Sequence, residues 1–209
     1  ELTPSKSIEY LNKMGMTSLN KEQDNVLSLA IGGSSNGSSP LEMAAAYGTI
    51  ANNGVYITPT FYTKVVDTSG NTVLTAKQEQ TRVFSEQTAY LTKSITQEPV
   101  VASNGTAKYC AIPGMDVAAK TGTTDDSYDR WLCGFTPYYA AATWFGYDEP
   151  ETIQYFNWNN PSQHIWSVIM SDIHEDLEGK RFEKPDNIVS AKICMDSGRA
   201  ATDECTRVY

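Results

Sequence analysis

The sequence predicts an α+β fold, an antiparallel sheet with helices packed on its faces. Three observations carry that reading. Strand-like and helix-like stretches are mixed without the regular alternation that a parallel βαβ sheet requires. Three strand-like runs follow one another at about 115–121, 130–136 and 139–147, and the last two are joined at Thr136-Pro137 in the manner of an antiparallel hairpin. Helix-opening signals stand before and after this block, at Ser39-Pro40, Ser85 and Asn160-Pro161.

In chain order, residues 5–14 read as a helix stopped by Gly15, and Glu1 to Tyr10 as a helix already under way at the first residue. Residues 22–31 turn from polar to briefly apolar and end at Gly32-Gly33, and the run from Gly32 to Ser39 is a loop by composition. Ser39-Pro40-Leu41-Glu42 then opens a helix: serine caps, proline takes the first helical position, and glutamate three residues on closes a capping box. The helix runs to about Ala51, with Asn53-Gly54 as its stop. Residues 55–66 and 72–75 alternate as strands about a turn at Thr68-Ser69-Gly70-Asn71. Ser85 caps a helix to about Gln97, with Pro99 just past its end, and Asn104 to Gly114 is a loop. The final helix carries Ile165, Ile169, Ile173 and Leu177 along one side, with Asp172, Glu175, Asp176 and Glu178 as a solvated acidic face late in it.

With 209 residues, 40% of them apolar and 20% charged, the chain can bury the core of a single domain. We divide it into residues 1–190, the body, and 191–209, a tail rich in Gly, Ser, Asp and Thr. A net charge of −9 with scattered basic residues argues against a nucleic-acid partner. No stretch approaches the length of a membrane span. Cys194 and Cys205 lie close together in the tail, where a bridge would close a short loop and imply an oxidising compartment; free thiols are the other reading. Cys133 falls in an apolar strand and reads as a buried free thiol. His164 and His174 are ten residues apart on one helix and share no face, and no Ser-His-Asp arrangement accompanies them. Asp125, Asp126 and Asp129 lack the glycine and distal glutamate of a calcium loop, so they read as a polar connection between strands.

The residues that can carry chemistry are Lys120-Thr121-Gly122-Thr123-Thr124, at the end of a strand. A lysine there supplies fixed positive charge and a proton-handling amine. Threonine hydroxyls can hold a carboxylate. Glycine lets an extended peptide lie against the strand, and the backbone N–H of Thr123 can face a developing oxyanion. The tripeptide alone is a weak signal. Its surroundings sharpen it: Ala118-Ala119 before it, then Trp131-Leu132-Cys133-Gly134-Phe135-Thr136-Pro137 and Trp144-Phe145-Gly146-Tyr147-Asp148. Upstream stand Ser39-Pro40-Leu41-Glu42-Met43-Ala44-Ala45-Ala46-Tyr47 and Ala51-Asn52-Asn53-Gly54, and downstream Ile165-Trp166 and Met170.

This combination resembles the C-terminal part of the transpeptidase domain of class A (bifunctional) penicillin-binding proteins, over most of residues 1–175, and the tail resembles those of clostridium-like members. Serine β-lactamases and penicillin-binding proteins share the Lys-Thr-Gly motif with S-x-x-K and S-x-N motifs. Ser18-Leu19-Asn20-Lys21 and Ser34-Ser35-Asn36 satisfy those patterns but read as decoys. An acylating serine should open a buried helix, whereas Ser18 precedes a polar stretch, and too few residues separate the two patterns. The transpeptidase fold is therefore expected to be incomplete here, its true S-x-x-K and S-x-N motifs lying in an upstream fragment of the same protein.

The resemblance implies a peptidoglycan DD-transpeptidase working through an acyl-serine, with D-Ala-D-Ala stem peptides as donors and β-lactams as inhibitors. By position, Lys120 would supply charge and Thr123 an oxyanion-hole N–H, as the catalytic residues. Thr121, Gly122, Thr123 and Thr124 would bind substrate. No metal or organic cofactor is implied, and the place of work is the extracellular face of the bacterial cytoplasmic membrane, with an N-terminal anchor. This chain alone would be inactive. The rival readings are a DD-carboxypeptidase or β-lactamase of the same superfamily, and a non-catalytic penicillin-sensing or scaffold module.

Overall fold

A computed structural model describes residues 2–154 and 160–208. The first helix, α1 (Pro4–Lys13), has its own N-cap: the Thr3 hydroxyl accepts from the Lys6 N–H at 3.3 Å. The helix thus begins at a cap rather than running in from the first residue. Residues 15–36 form a loop containing a 3-10 turn, Leu27–Ile31. Helix α2 (Pro40–Ala51) opens on the expected capping box, with the Ser39 hydroxyl and the Glu42 side chain each bonded to the other's backbone N–H.

Glu42 does more than cap. One carboxylate oxygen, Oε1, accepts from the Thr17 N–H at 2.7 Å, the Thr17 hydroxyl at 2.9 Å and the Ser18 N–H at 2.8 Å. Burial alone would raise its pKa, but these bonds and the Ser39 N–H outweigh it and hold the carboxyl at about 2 against an ordinary 4.5. A folded-state pKa below the unfolded one gives stability that is fully present above about 4.5 and is lost as pH falls towards about 2. Replacing Glu42 with alanine is expected to cost about 1–3 kcal/mol at neutral pH. In urea titrations that difference from the parent protein should shrink as the pH drops through this window.

The stretch read as one strand over 55–66 is two. Strand β1 (Val55–Ile57) pairs with β4 (Gln80–Arg82), and β2 (Lys64–Val66) pairs with β3 (Thr72–Thr75), both antiparallel. The β2–β3 turn is held by Asp67, whose carboxylate accepts from the N–H groups of Ser69 and Asn71 at 2.9 and 2.8 Å. Helix α3 (Glu86–Val101) passes through Pro99 instead of stopping before it. The carbonyl that Pro99 cannot serve belongs to Ile95, an exposed residue, where water can satisfy it.

The central sheet is β5 (Ala118–Thr123), β6 (Asp129–Phe135) and β7 (Ala140–Gly146), antiparallel in the order β5-β6-β7. Helix α4 (Pro161–Ile173) lies across it, and α2 packs against β6 and β7 from its own side. One core joins Val117, Ala119, Leu132, Trp166 and Met170 with Val100 of α3 and Cys110. Gly134 sits at the crowded centre, where a Cβ would come within 3.0 Å of Trp166 and 2.9 Å of Ala119. The isoleucine stripe of α4 is not the core face. Trp166 and Met170 are fully buried, whereas Ile165, Ile169 and Ile173 are 38–49% exposed. The sheet selects the other apolar side because Ser162 and Asn160, at the helix start, bond to the carbonyls of Arg130 and Trp131 and set the rotation. The helix also ends at Ile173, so of the acidic cluster only Asp172 is helical.

His174 closes α4 as a buried structural group, its ring nitrogens bonded to the Met170 carbonyl at 2.6 Å and the Thr136 hydroxyl at 2.8 Å. In the tail, bridges Ile193–Ala200 and Cys194–Val208 fold the chain back on itself. Cys194 and Cys205 are unbridged in this structure, with their side chains hydrogen-bonded to each other. Cys110 and Cys133 are buried and free, with burial pushing both thiols up to about 12. Among the described residues no helix is long and apolar enough to cross a membrane.

Candidate active site

Among the described residues strand β5 is an outer strand of the central sheet, hydrogen-bonded to β6 on one side only. It emerges from the core along its length: Ala118 and Ala119 are fully buried, Lys120 is exposed, and Thr123 is exposed at the far end. Alternate peptide groups of this outer half point away from β6, the arrangement to which an extended peptide adds as a further strand.

The register with β6 sorts the motif onto two faces. Lys120 opposes Cys133 and Gly122 opposes Trp131 on one; Thr121 opposes Leu132 and Thr123 opposes Arg130 on the other. Lys120 Nζ donates to the Thr121 carbonyl at 2.8 Å, and among the described residues no carboxylate forms an ion pair with it. Its charge is therefore available to a ligand. The absence of a side chain at Gly122 also has an internal reason, since a Cβ there would lie 3.1 Å from the Cβ of Trp131.

The threonines are not equivalent. Thr121 donates its hydroxyl to Thr106 at 3.1 Å, tying the strand to the preceding loop. Thr123 accepts from Arg130 Nη1 at 3.0 Å. The Thr124 hydroxyl donates to Asp129 Oδ2 at 3.0 Å and accepts from the Asp129 N–H at 2.8 Å, so it closes the β5–β6 connection. Asp129 also receives the Trp144 indole N–H at 2.8 Å, which accounts for its carboxylate without a metal. No group of three potential metal ligands occurs among the described residues. Arg130 and Thr106 are the site neighbours that motif reading missed. Counting residues back across the β5–β6 connection would have placed Arg130, the one cation of β6, near Thr123.

The decoy patterns stand elsewhere. Ser18 lies in a loop, its N–H given to Glu42, and its hydroxyl is buried without a partner among the described residues. Asn36 donates to the Ser18 carbonyl at 3.0 Å, and the Ser35 N–H goes to Asp24 at 2.7 Å. This is a network of loop contacts, with no buried helix to present a nucleophile and a lysine together. The hollows along α1 and beside Asn53 and Glu183 do not touch β5 either.

A model of the family described as penicillin binding protein transpeptidase domain matches residues 7–164. The chain belongs to the penicillin-binding protein transpeptidase family. It is 36% identical over 196 residues to penicillin-binding protein 1A of Clostridium botulinum, covering 94% of this chain and 24% of that protein. Over 145 residues it is 34% identical to penicillin-binding protein 4 of Bacillus subtilis, covering 69% of this chain and 23% of the relative. The chain thus spans about a quarter of the length of these relatives. Among solved structures it superposes on penicillin-binding protein 1A of Haemophilus influenzae with a TM-score of 0.79 at 22% identity, over 98% of this chain and 36% of that one. The PonA1 protein of Mycobacterium tuberculosis in complex with penicillin V gives 0.68 at 26% identity, over 88% and 54%. The expected fold class is that of these penicillin-binding transpeptidase neighbours, of which this chain holds a part.

Proposed function

We propose that this chain supplies one wall of the active site of a peptidoglycan DD-transpeptidase of the class A kind, and that the acylating serine and its base come from an upstream fragment of the same protein. The observation that carries this reading is the exposed outer half of β5, with Lys120, Thr121, Gly122 and Thr123 along a strand edge open to an extended peptide. The upstream serine hydroxyl attacks the carbonyl of the penultimate D-alanine of a stem peptide, its proton passing to the base. The terminal D-alanine leaves as its amine takes a proton, and an amine of a neighbouring strand then accepts the acyl group. Lys120 holds positive charge beside the reacting serine, and the hydroxyls of Thr123 and, on turning from Thr106, Thr121 face the donor's terminal carboxylate. The Thr123 N–H stabilises the oxyanion. Thr124, engaged with Asp129, acts on substrate through the shape of the β5–β6 connection. β-Lactams occupy the same cleft as donor mimics. The protein works at the extracellular face of the cytoplasmic membrane, anchored through an N-terminal segment. This chain alone is inactive, since its S-x-x-K pattern, Ser18 to Lys21, lies in a loop and neither Ser39 nor Ser85, which cap α2 and α3, is followed by a lysine three residues on.

The test is the product made by the full-length protein from lipid-linked peptidoglycan precursor. Cross-linked peptide dimers are expected. Release of D-alanine without dimers would make the enzyme a carboxypeptidase, and absence of both products would favour a sensing or scaffold role.

We also assign residues 191–209 to a tail that Cys194 and Cys205 can pin. Hydrogen bonds from Ser197 and Cys205, with the backbone of Ser197 and Asp196, lower the Cys194 pKa to about 7 from an ordinary 9.0. Its thiolate is thus available near neutrality to attack a donor disulfide; Cys205 then displaces the mixed disulfide, and the donor leaves as a dithiol. Differential alkylation of protein secreted into an oxidising medium should find both residues blocked until reduction. The bridge is expected to stabilise the tail by about 2–3 kcal/mol. Two alkylatable thiols before reduction would remove the assignment.

A further inference from the structure

The Thr123 hydroxyl, assigned above to the donor carboxylate, is held by a cation. Arg130 opposes Thr123 across the β5–β6 ladder, and its guanidinium forks, Nη1 reaching Thr123 Oγ1 at 3.0 Å and Nη2 reaching Ser127 Oγ at 3.1 Å. The backbone beneath it is fixed, because the Arg130 carbonyl accepts from the Ser162 hydroxyl at 2.5 Å at the start of α4. The side chain is only half-buried. Nearby acidic groups do not neutralise it: Asp129 is committed to Thr124 and Trp144, and none of the described residues, Asp125 and Asp126 included, forms an ion pair with Arg130. A guanidinium that satisfies two neutral hydroxyls retains its whole charge and further N–H donors.

The consequence for Thr123 is directional. A hydroxyl has one hydrogen to give, and guanidinium has no lone pair to accept it, so Thr123 Oγ1 must be the acceptor in this bond. Its own hydrogen is left for another acceptor on the open side of the strand. A carboxylate oxygen bonded to Thr123 would be separated from the Arg130 cation by a single hydroxyl, a distance at which opposite charges attract strongly at a partly dehydrated site.

We propose that Arg130 is a positioning and specificity-determining residue of the transpeptidase cleft, orienting the Thr123 hydroxyl as a donor and placing a cation behind it that favours a terminal carboxylate. The ligand class is an acyl donor, peptide or β-lactam, with a carboxylate next to the scissile bond. The proposal rests on the transpeptidase reading and narrows it. It separates the two cationic tasks: Lys120 serves the reacting serine, and Arg130 serves the carboxylate through Thr123.

The test uses the full-length protein and two thioester donors, benzoyl-D-alanyl-mercaptoacetate and its mercaptoacetamide counterpart, which differ in the terminal carboxylate. In R130A, kcat/KM for the carboxylate donor should fall about 10- to 100-fold, while the carboxamide donor changes by no more than about threefold. R130K keeps the charge without the fork and should recover part of the difference. Equal losses on both donors, or no loss on either, would overturn the proposal by reducing Arg130 to a structural residue or a bystander. Should R130A not fold, the same ratio measured in R130K and R130Q decides between these outcomes. Failure of the parent protein both to turn over either thioester and to be acylated by penicillin would overturn the transpeptidase reading itself.

Discussion

Replacing Lys120 with alanine in the full-length protein should lower the rate of acylation by penicillin by about 10²–10⁴-fold, the range spanned by positioned proton-transfer and electrostatic groups. Lys120 is no part of the buried core. It is exposed, it has no ion-pair partner among the described residues, and its ammonium reaches only the carbonyl of its neighbour. The residues that anchor β5 are Ala118 and Ala119, both fully buried, so the substitution should leave thermal unfolding within the small range of surface changes. An unchanged melting profile with a collapsed acylation rate is the expected pair of results. Arginine at position 120 should not restore the rate, because a guanidinium keeps the charge but neither the shape nor the proton-handling of an amine.

Trp166→Ala should have the largest effect on stability. Trp166 is fully buried between α4 and the central sheet, in van der Waals reach of Gly134, and its indole N–H donates to the Ala141 carbonyl at 3.1 Å. Its removal leaves a cavity and loses that hydrogen bond, at a cost of about 3–5 kcal/mol. Phenylalanine at this position should recover much of the packing without the hydrogen bond. A shift of the urea midpoint with little change in slope would locate the loss in the folded state. Acylation of the fraction that remains folded should be largely preserved, since the hydrogen bond of Trp166 goes to Ala141 of β7 and to no residue of the Lys120 motif. The two substitutions therefore separate chemistry from scaffold.

Much of this architecture was legible in the sequence because the local signals agreed with one another. The Ser39 capping box, the β6–β7 hairpin and the Asn160-Pro161 helix start each combine a turn or cap residue with the right apolar period. Strand β4 was not legible: Gln80-Thr81-Arg82 is polar and exposed, and only pairing with β1 makes it a strand. The buried face of α4 was not legible either. The helix carries two apolar sides, and periodicity alone cannot say which one the sheet will choose. Pro99 misled as a helix stop because the carbonyl it leaves unserved belongs to Ile95, an exposed residue on the solvent side of the helix. In the site, Lys120 and its threonines were visible as a motif, but the division of labour among Thr121, Thr123 and Thr124 depends on cross-strand and loop partners. Arg130 became meaningful only once the register set it opposite Thr123.

The place where a fluorescent penicillin attaches tests the division of the active site most directly. Peptide mapping of the labelled full-length protein should find the adduct on a serine upstream of this segment, and the isolated 209-residue chain should carry none. An adduct on Ser18, or on any other serine of this chain, would contradict the assignment of the Lys120 strand as one wall of a cleft whose nucleophile lies outside it.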